Sequence, residues 1–188
     1  MLDEVAKELG GIDIVHCNAG VLSRPPSAPD PHDYFLPWMT EELYLKVMGI
    51  NVDGVVYGTL AATPHLQNRG GGKIIATSSP GGLSGWAADP YYSMSKSAVN
   101  NWVMGIAPAL QEQKITINAA MPGGMINTNM FRPQWKELDE LKAITPLEPE
   151  VIATGIIELM ERDDTNGVVY MVTPDSQLIH ILPPQQPQ

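Results

Sequence analysis

The sequence predicts an α/β fold built around a parallel sheet. Short apolar runs rich in β-branched residues alternate along the chain with longer stretches that have helical periodicity. With 188 residues the chain is long enough for one domain with its own core, and its 44% apolar and 17% charged residues are typical of folded globular proteins. We therefore expect a single domain over residues 1–182, followed by a disordered tail at 183–188.

The first elements are a helix, a strand and a long loop. Residues 2–9 place apolar side chains at helical spacing, and Gly10 ends the helix. Residues 12–17 form an apolar run that is expected to be a buried strand. Residues 21–39 contain five prolines and several aromatic residues. A loop of this length either forms an apolar wall over a substrate pocket or is a surface insertion.

The middle of the chain predicts a long, interrupted helix and a second strand. Thr40 is a suitable N-cap because its hydroxyl can accept a hydrogen bond from the first turn. The acidic residues that follow it suit the positive end of the helix dipole. Helical periodicity continues towards Leu66, with interruptions near Gly49 and Gly54. Residues 73–78 then form another apolar strand.

The second half repeats the alternation. A helix that carries Tyr92 continues through Ala109, and its segment 97–110 bears no charge, so we expect it to be buried on most sides. A strand at 115–120, a helix at 145–164 and a last strand at 168–173 complete the prediction.

Charge and composition exclude several classes of function. The net charge of −10 argues against nucleic acid or an anionic membrane as a partner. Cys17 is the single cysteine, which excludes an internal disulfide and fits a reducing compartment. No signal peptide and no apolar segment of membrane-spanning length is recognisable, so a cytoplasmic protein is predicted. The histidines lack metal-ligand spacing, and no metal site is expected.

One pair of residues suggests acid–base chemistry. Tyr92 and Lys96 lie four residues apart, which places them on one face of a helix. A phenol with a pKa near ~10 is a poor acid or base at neutral pH, and a nearby cation lowers that pKa. The pair alone is a weak motif, because Tyr and Lys share this spacing in many surface helices.

Further residues in the right order make the pattern specific. Asn18-Ala19-Gly20 follows the strand at 12–17, Asn51 lies in the interrupted helix, Ser79 precedes Tyr92 by thirteen residues, and Pro122-Gly123 follows the strand at 115–120. Together with Tyr92 and Lys96, this set resembles the short-chain dehydrogenase/reductase family from about residue 5 to about residue 175.

The resemblance implies a Rossmann-like doubly wound parallel sheet, but one motif of the family is not found. Members begin with a glycine-rich turn, T-G-x-x-x-G-x-G, which binds the cofactor pyrophosphate at a helix N-terminus. The strand at 12–17 matches the family's fourth strand, so the N-terminal β-α-β-α-β half is expected to be missing. We would then expect little or no activity unless another chain supplies that half.

The resemblance also implies roles for four catalytic residues. Tyr92 would transfer the proton of the substrate oxygen, and Ser79 would hydrogen-bond that oxygen. Lys96 would lower the Tyr92 pKa and bind the nicotinamide ribose. Asn51 would position a water that links Lys96 to solvent. Taken singly, each residue also has a structural explanation. Ser79 could cap a strand end, Asn51 could bond to the backbone at a helix kink, and Lys96 could be a solvated charge.

Cofactor and substrate contacts follow from the same resemblance. The cofactor would be NAD or NADP, and the sequence does not discriminate between them. Its expected contacts are Asn18, Ala19, Gly20, Tyr92, Lys96, Pro122, Gly123, Met125 and Thr128. The family places a Thr five residues after the Pro, where this chain has Asn127, so either Asn127 or Thr128 could make that contact. The expected substrate is an apolar alcohol or ketone that would contact Trp86, Met130 and Phe131. The alternative is that these three side chains pack in the core.

A function of a different class is the alternative. A catalytically inactive chain that acts as an interaction or oligomerisation partner would keep the two long helices that form a subunit interface in the family. Such a chain would pair with a full-length relative, whereas the enzyme hypothesis predicts a homo-oligomer.

Overall fold

The computed structural model describes residues 1–23, 39–130 and 144–183. Within these ranges five helices and five strands alternate, with a π-helical turn and a short 3-10 helix between them. In chain order they are α1 (Leu2–Leu9), β1 (Ile14–Cys17), α2 (Glu41–Met48), the π turn (Gly49–Asp53), α3 (Gly54–Asn68), β2 (Gly72–Thr77), the 3-10 helix (Pro80–Gly82), α4 (Pro90–Gln111), β3 (Ile115–Pro122), α5 (Pro149–Glu161), β4 (Val169–Val172) and β5 (Leu178–Leu182).

The strands form one sheet in the order β1-β2-β3-β4-β5. The pairs from β1 to β4 are parallel, with Cys17 opposite Ala76 and Thr77 opposite Ala120. The predicted α/β fold with a mainly parallel sheet is therefore confirmed. The carboxyl ends of β1, β2 and β3 lie at the same edge of the sheet.

The sheet departs from the prediction at β5, which runs antiparallel to β4. No strand was expected after residue 173. The two strands are joined by a tight turn, in which the Thr173 amide donates to the Gln177 carbonyl at 2.9 Å. An antiparallel partner needs only such a short connection, whereas another parallel strand would need a crossover.

Apolar side chains fill both faces of the sheet, which gives three layers. Because alternate residues of a strand point to opposite faces, Ile74 packs towards α3 and α4, while Ile75 packs towards α5. The larger core contains Leu66 of α3 and Val103 of α4, both fully buried. Helices on both faces are what a doubly wound sheet requires.

The helix predicted from Thr40 to Leu66 is continuous but changes its hydrogen-bonding pattern. Thr40 caps α2, its hydroxyl accepting from the Leu43 amide at 3.2 Å. The interruption expected near Gly49 is a π turn, and α3 follows without a break. Such turns inside α-helices are frequent at functional sites.

Parts of three predictions lie outside the described residues. They are most of the proline-rich loop (24–38), the segment 131–143, which includes Phe131, and the tail beyond Pro183. In the described part of the chain, the helices are all too short or too polar to cross a bilayer.

Candidate active site

The first two turns of α4 hold Tyr92 and Lys96 close together. Only 7% of the surface of Tyr92 and 3% of that of Lys96 is exposed. The Lys96 Nζ lies 5.7 Å from the centroid of the Tyr92 ring. The helix begins with Asp89 as N-cap and Pro90 in the first turn, a combination that favours helix initiation. The local sequence thus fixes where the phenol and the amine lie.

Ser79 reaches the phenol from the end of β2. It caps the 3-10 helix, its hydroxyl oxygen accepting from the Gly81 amide at 3.2 Å. The same hydroxyl lies near the Tyr92 ring, since a Cβ at Gly81 would lie 3.5 Å from Ser79 Oγ and 3.6 Å from Tyr92 Cε1, and it acts to lower the phenol pKa. The predicted Ser79–Tyr92 pair is therefore in contact in the folded chain.

Hydrogen bonds attach the turn that follows Ser79 to α4. The carbonyl of Gly82 accepts from Ser97 Oγ at 2.9 Å and from Asn100 Nδ2 at 3.2 Å. A Cβ at Gly82 would lie 2.8 Å from the Lys96 backbone, so a glycine is required for this close approach. The backbone at Gly82 packs directly on the backbone of α4, and this contact fixes the position of Ser79 relative to the helix.

Burial lowers the pKa of Lys96 from 10.5 to about 8. Its Nζ donates to the Thr77 carbonyl at 2.8 Å, at the end of β2. A single neutral acceptor only partly replaces water around an ammonium group, so the neutral amine is favoured. The position beside Tyr92 agrees with the prediction, but the charge is less stable there than on the surface.

The effect predicted for the Tyr92 pKa is the reverse of what the structure gives. Burial raises this pKa, the hydrogen bond with Ser79 lowers it, and the negative charge of Asp89 raises it again. Lys96 directs its Nζ to Thr77, and the loss of water around the ring outweighs the favourable contact. The phenol is accordingly held in its neutral form.

Asn51 is fully buried within the π turn. Its Nδ2 donates to the Val21 carbonyl at 3.0 Å and to Ser95 Oγ at 2.9 Å, and its Oδ1 accepts from the Val21 amide at 2.8 Å. These bonds join the interrupted helix to α4 and to the segment after β1. The side chain is committed to this bridge and holds the π turn against α4.

Gly20 brings the segment after β1 against the same cluster. A Cβ at this position would lie 3.4 Å from Lys96 Nζ and 3.5 Å from Asn51 Oδ1. Asn18 connects the segment to β2, because its Oδ1 accepts from Thr77 Oγ1 at 2.8 Å. Three of the predicted groups, Gly20, Asn51 and Lys96, therefore meet in one place.

A cavity of about 760 Å³ lies beside β1. Ala19, the remaining residue of this segment, lines it together with Asn18, and the opposite wall comes from α3 and the start of α1. Most of its lining is apolar. Cys17 also faces the cavity region, and burial raises the pKa of its thiol, so it is a weak nucleophile.

The residues predicted at the end of β3 lie at the same edge of the sheet. Pro122 is the last residue of β3, and the Gly123 amide donates to the Val172 carbonyl at 2.7 Å. Met125 follows, its carbonyl accepting from the Leu147 amide at 2.8 Å. Pro122 and Gly123 thus continue the row of strand ends formed by Asn18 and Ser79.

The alternative between Asn127 and Thr128 can be examined from their contacts. The Asn127 side chain donates to Glu148 Oε1 at 2.9 Å, at the start of α5. Thr128 uses its backbone amide for a bond to the Ile126 carbonyl at 2.7 Å. The Asn127 side chain thus already has a protein partner, and the ligand contact of either residue stays a prediction.

Trp86 packs edge-on against Tyr92, with ring centroids 6.0 Å apart and an interplanar angle of 77°. It is half-buried, so one part of the indole remains accessible next to the phenol. Met130 is also half-buried, while Phe131 lies outside the described residues. Of the three predicted substrate contacts, Trp86 is the one with a described contact to the catalytic cluster.

Two residues of the cluster were not predicted. Asp89 accepts hydrogen bonds from the Tyr92 amide and from Ser23, and both Asp89 and Ser23 are buried. The Asp-Pro pair that opens α4 is a recognisable capping signal in the sequence. Ser23 gives no such signal, because its contact joins segments that are distant in sequence. Among the described residues, no group of three or more possible ligands could hold a metal ion.

Comparison with known proteins gives a consistent result. A family model described as short chain dehydrogenase matches residues 1–139. The short-chain dehydrogenase/reductase prx6 of Penicillium rubens is 36% identical over 134 residues, which cover 70% of this chain and 40% of the relative. L-rhamnose 1-dehydrogenase (NAD(P)(+)) of Azotobacter vinelandii is 30% identical over 167 residues, which cover 88% of this chain and 59% of the relative.

A solved structure has the same fold. The short-chain type dehydrogenase/reductase from Mycobacterium marinum superposes with a TM-score of 0.77 at 28% identity, covering 92% of this chain and 68% of that one. The two curated relatives are matched over 40% and 59% of their own lengths.

Proposed function

Because this chain belongs to the short-chain dehydrogenase family, we propose that it contributes the acid–base site of an NAD- or NADP-dependent oxidoreductase acting on an alcohol or ketone. The observation that carries the proposal is that the Ser79 hydroxyl and the Tyr92 phenol come together around Gly81, with Lys96 buried beside the phenol ring. A hydroxyl and a phenol that converge in this way can both contact one substrate oxygen.

The residues present fit the nicotinamide end of the cofactor. Lys96 Nζ and the backbone around Gly20 lie together, and Pro122-Gly123 ends β3 at the same edge of the sheet. Ligands of open α/β sheets bind at this carboxyl edge. When bound, the nicotinamide would accept or supply the hydride. These 188 residues contain no T-G-x-x-x-G-x-G turn, so we do not assign the pyrophosphate to them.

The phenol of Tyr92 is protonated in the folded chain and carries the proton that reduction of a carbonyl requires, while its raised pKa makes release of that proton harder. In the direction of reduction, Tyr92 would give its proton to the carbonyl oxygen while Ser79 hydrogen-bonds the same oxygen. Lys96, with a pKa of about 8, can exchange protons near neutral pH. Because Lys96 Nζ and Asn51 Oδ1 both lie next to Gly20, a water positioned at Asn51 would replace protons through Lys96.

The substrate we propose is a small to medium apolar alcohol or ketone. Trp86 packs against Tyr92 and exposes part of its indole, which would contact the carbon skeleton next to the reacting oxygen. Met130 and Phe131 would complete the apolar wall. Thr128 is the residue we propose for the nicotinamide carboxamide, since Asn127 directs its side chain to Glu148.

The test compares Tyr92→Phe with Tyr91→Phe. Tyr91 neighbours Tyr92 in the sequence but packs edge-on against Tyr44 at 5.6 Å, so it controls for the loss of a phenolic hydroxyl from this turn. Reduction of apolar ketones is followed by NADH and NADPH consumption. We expect Tyr92→Phe to abolish the rate and Tyr91→Phe to retain it. Loss of activity in both variants, or in neither, would contradict the assignment of Tyr92.

Binding is measured separately from turnover. Titration of the chain with NADH and NADPH by fluorescence gives the affinity supplied by the nicotinamide end alone. Because the glycine-rich turn is not among these residues, we expect weak binding, and a micromolar Kd for the chain by itself would contradict that expectation.

Association with another subunit is the second candidate function. Helices α2 and α3 expose large apolar side chains: Leu45 is 59%, Tyr57 is 65% and Leu60 is 54% exposed. Apolar groups on neighbouring helices favour a protein partner. We propose a homo-oligomer, to be tested by sedimentation of the chain and of Leu60→Lys. A monomer at all concentrations, or an unchanged oligomer in Leu60→Lys, would contradict this interface.

A further inference from the structure

Asp89 is a buried carboxylate at the start of the proposed catalytic helix. Only 1% of its surface is exposed. Its Oδ1 accepts from the Tyr92 amide at 3.0 Å and from the Ser23 hydroxyl in a short hydrogen bond, and its Oδ2 accepts from the Ser23 amide at 2.8 Å. A buried charge is costly unless such donors surround it. These contacts fix the carboxylate in one orientation.

The contacts of Asp89 join two segments of the active site. Ser23 belongs to the segment after β1 that also carries Gly20, while Tyr92 lies in the first turn of α4. An Asp N-cap holds the amide of the third following residue, and here that residue is the proposed acid itself. The position of the phenol relative to Ser79 therefore depends on this cap.

The charge of Asp89 also acts on the phenol. Lys96, one turn further along α4, and Trp86, from the segment after β2, contact the Tyr92 ring, and Ser79 lies near it. Asp89 contacts the Tyr92 amide, and its charge also acts on the phenol. The negative charge of Asp89 adds to burial in raising the pKa of Tyr92. A cap without charge would keep the geometry and remove this effect.

We propose that Asp89 is a positioning residue for Tyr92, whose cap sets the place of the phenol and whose charge opposes the loss of the phenolic proton. The catalytic consequence rests on the function proposed above, but the effect on the phenol does not. In a reductase direction the chain would thereby keep its acid protonated at neutral and mildly alkaline pH. Oxidation of an alcohol would be favoured only at higher pH.

The test separates the effect of Asp89 as a helix cap from the effect of its negative charge. Asp89→Asn keeps an N-cap oxygen and removes the charge, since Asn caps helices about as well as Asp. Asp89→Ser is a second neutral cap, used in case the Asn side chain disturbs folding. Ser23→Ala retains the charge and removes one hydrogen bond to it, so it is the matched control. Near- and far-ultraviolet circular dichroism verifies the fold of each variant.

The readout is the ionisation of Tyr92 observed by NMR of chains labelled with 13Cζ-tyrosine. The resonance is assigned by its disappearance in Tyr92→Phe, and no turnover is needed. We expect ionisation to begin at lower pH in Asp89→Asn and Asp89→Ser than in the wild type, and to begin at the wild-type pH or above it in Ser23→Ala. An unchanged onset in the two neutral-cap variants would overturn the proposal.

The pH–rate profile supplies the catalytic readout. If the chain turns over an alcohol, Asp89→Asn moves the alkaline rise of the oxidation rate to lower pH, whereas a residue that only stabilises the helix would change the amplitude and leave the midpoint in place. If Tyr92 ionises at lower pH in Asp89→Asn and Asp89→Ser but no chain shows turnover, the role of Asp89 stands and the proposed function fails.

Discussion

The buried amine of Lys96 should make the stability of this protein depend on pH in an unusual direction. We consider the substitution Lys96→Met, which keeps a long unbranched side chain and removes the charge. The pKa of Lys96 falls from 10.5 to about 8 because the folded chain takes its ammonium group out of water. Below pH 8 the folded protein must keep the charged ammonium form of Lys96 at a buried position that favours the neutral amine.

The sign follows from proton binding in the two states. Between pH 8 and 10.5 the unfolded chain binds more protons at Lys96 than the folded chain, so the free energy of unfolding rises with pH in this window. The difference between 10.5 and about 8 corresponds to roughly 3 kcal/mol at about 1.4 kcal/mol per pKa unit. Tyr92 acts oppositely, but above its ordinary pKa of 10.0.

The substitution removes this dependence and one hydrogen bond. Loss of the bond from Lys96 Nζ to the Thr77 carbonyl costs about 1 kcal/mol. Lys96→Met should therefore be more stable than the wild type by roughly 2 kcal/mol at pH 7. The advantage should disappear as the pH approaches 10, where the wild-type amine is neutral in the folded state.

Urea unfolding at pH 7, 8, 9 and 10 measures the difference, with Lys46→Met as the control. Lys46 is exposed on α2, so its substitution should change stability by a similar small amount at every pH. The decisive quantity is the change with pH in the free-energy difference between Lys96→Met and wild type. A difference that stays constant from pH 7 to 10 would refute a buried, destabilised ammonium at Lys96.

Three further predictions concern the surroundings of the site. Gly82→Ala places a Cβ 2.8 Å from the Lys96 backbone and should cost about 1–3 kcal/mol in urea unfolding, so an unchanged midpoint would contradict the close packing. Burial raises the pKa of Cys17, so its reaction with Ellman's reagent at pH 7.5 should be slower in the folded chain than in urea. Ser79→Ala should move the onset of Tyr92 ionisation to higher pH, and Ser79→Thr, which keeps the hydroxyl, should restore it; equal onsets in both would exclude the hydrogen bond.

The sequence was sufficient to predict those parts of the fold that depend on local geometry. Tyr92 and Lys96 share a face because helical spacing fixes it, and the buried strands alternate sides because the strand period is two. Glycines near Gly49 indicated an interruption of the long helix, but not its form. Asn51 lies in the π turn and its side chain bonds to Val21 and Ser95, and such contacts between distant segments are not encoded in local periodicity.

Electrostatics at the site could not be predicted for a related reason. A Lys next to a Tyr suggests a lowered phenol pKa if both groups remain hydrated. The folded chain instead buries both, and burial moves the two pKa values in opposite directions, up for Tyr92 and down for Lys96. Spacing in a sequence gives the distance between two groups, whereas the sign of their pKa shifts depends on how much water the rest of the chain excludes.

Opposed influences act on the ionisation of Tyr92, and Ser79 is the one that lowers its pKa. Of the influences on the phenol, burial and Asp89 raise its pKa, and the hydrogen bond with Ser79 lowers it. Burial is also what would strengthen any hydrogen bond from Ser79 and Tyr92 to a substrate oxygen, because competing water is excluded. The Ser79 hydroxyl has one proton to donate, so it would serve the two oxygens in turn: the phenol oxygen in the free chain and the substrate oxygen once a substrate is bound. Burial thus keeps the proton on Tyr92 but makes its release harder, so the groups that lower the phenol pKa, Ser79 in the described chain and any cation that approaches the phenol oxygen, decide how good an acid it is.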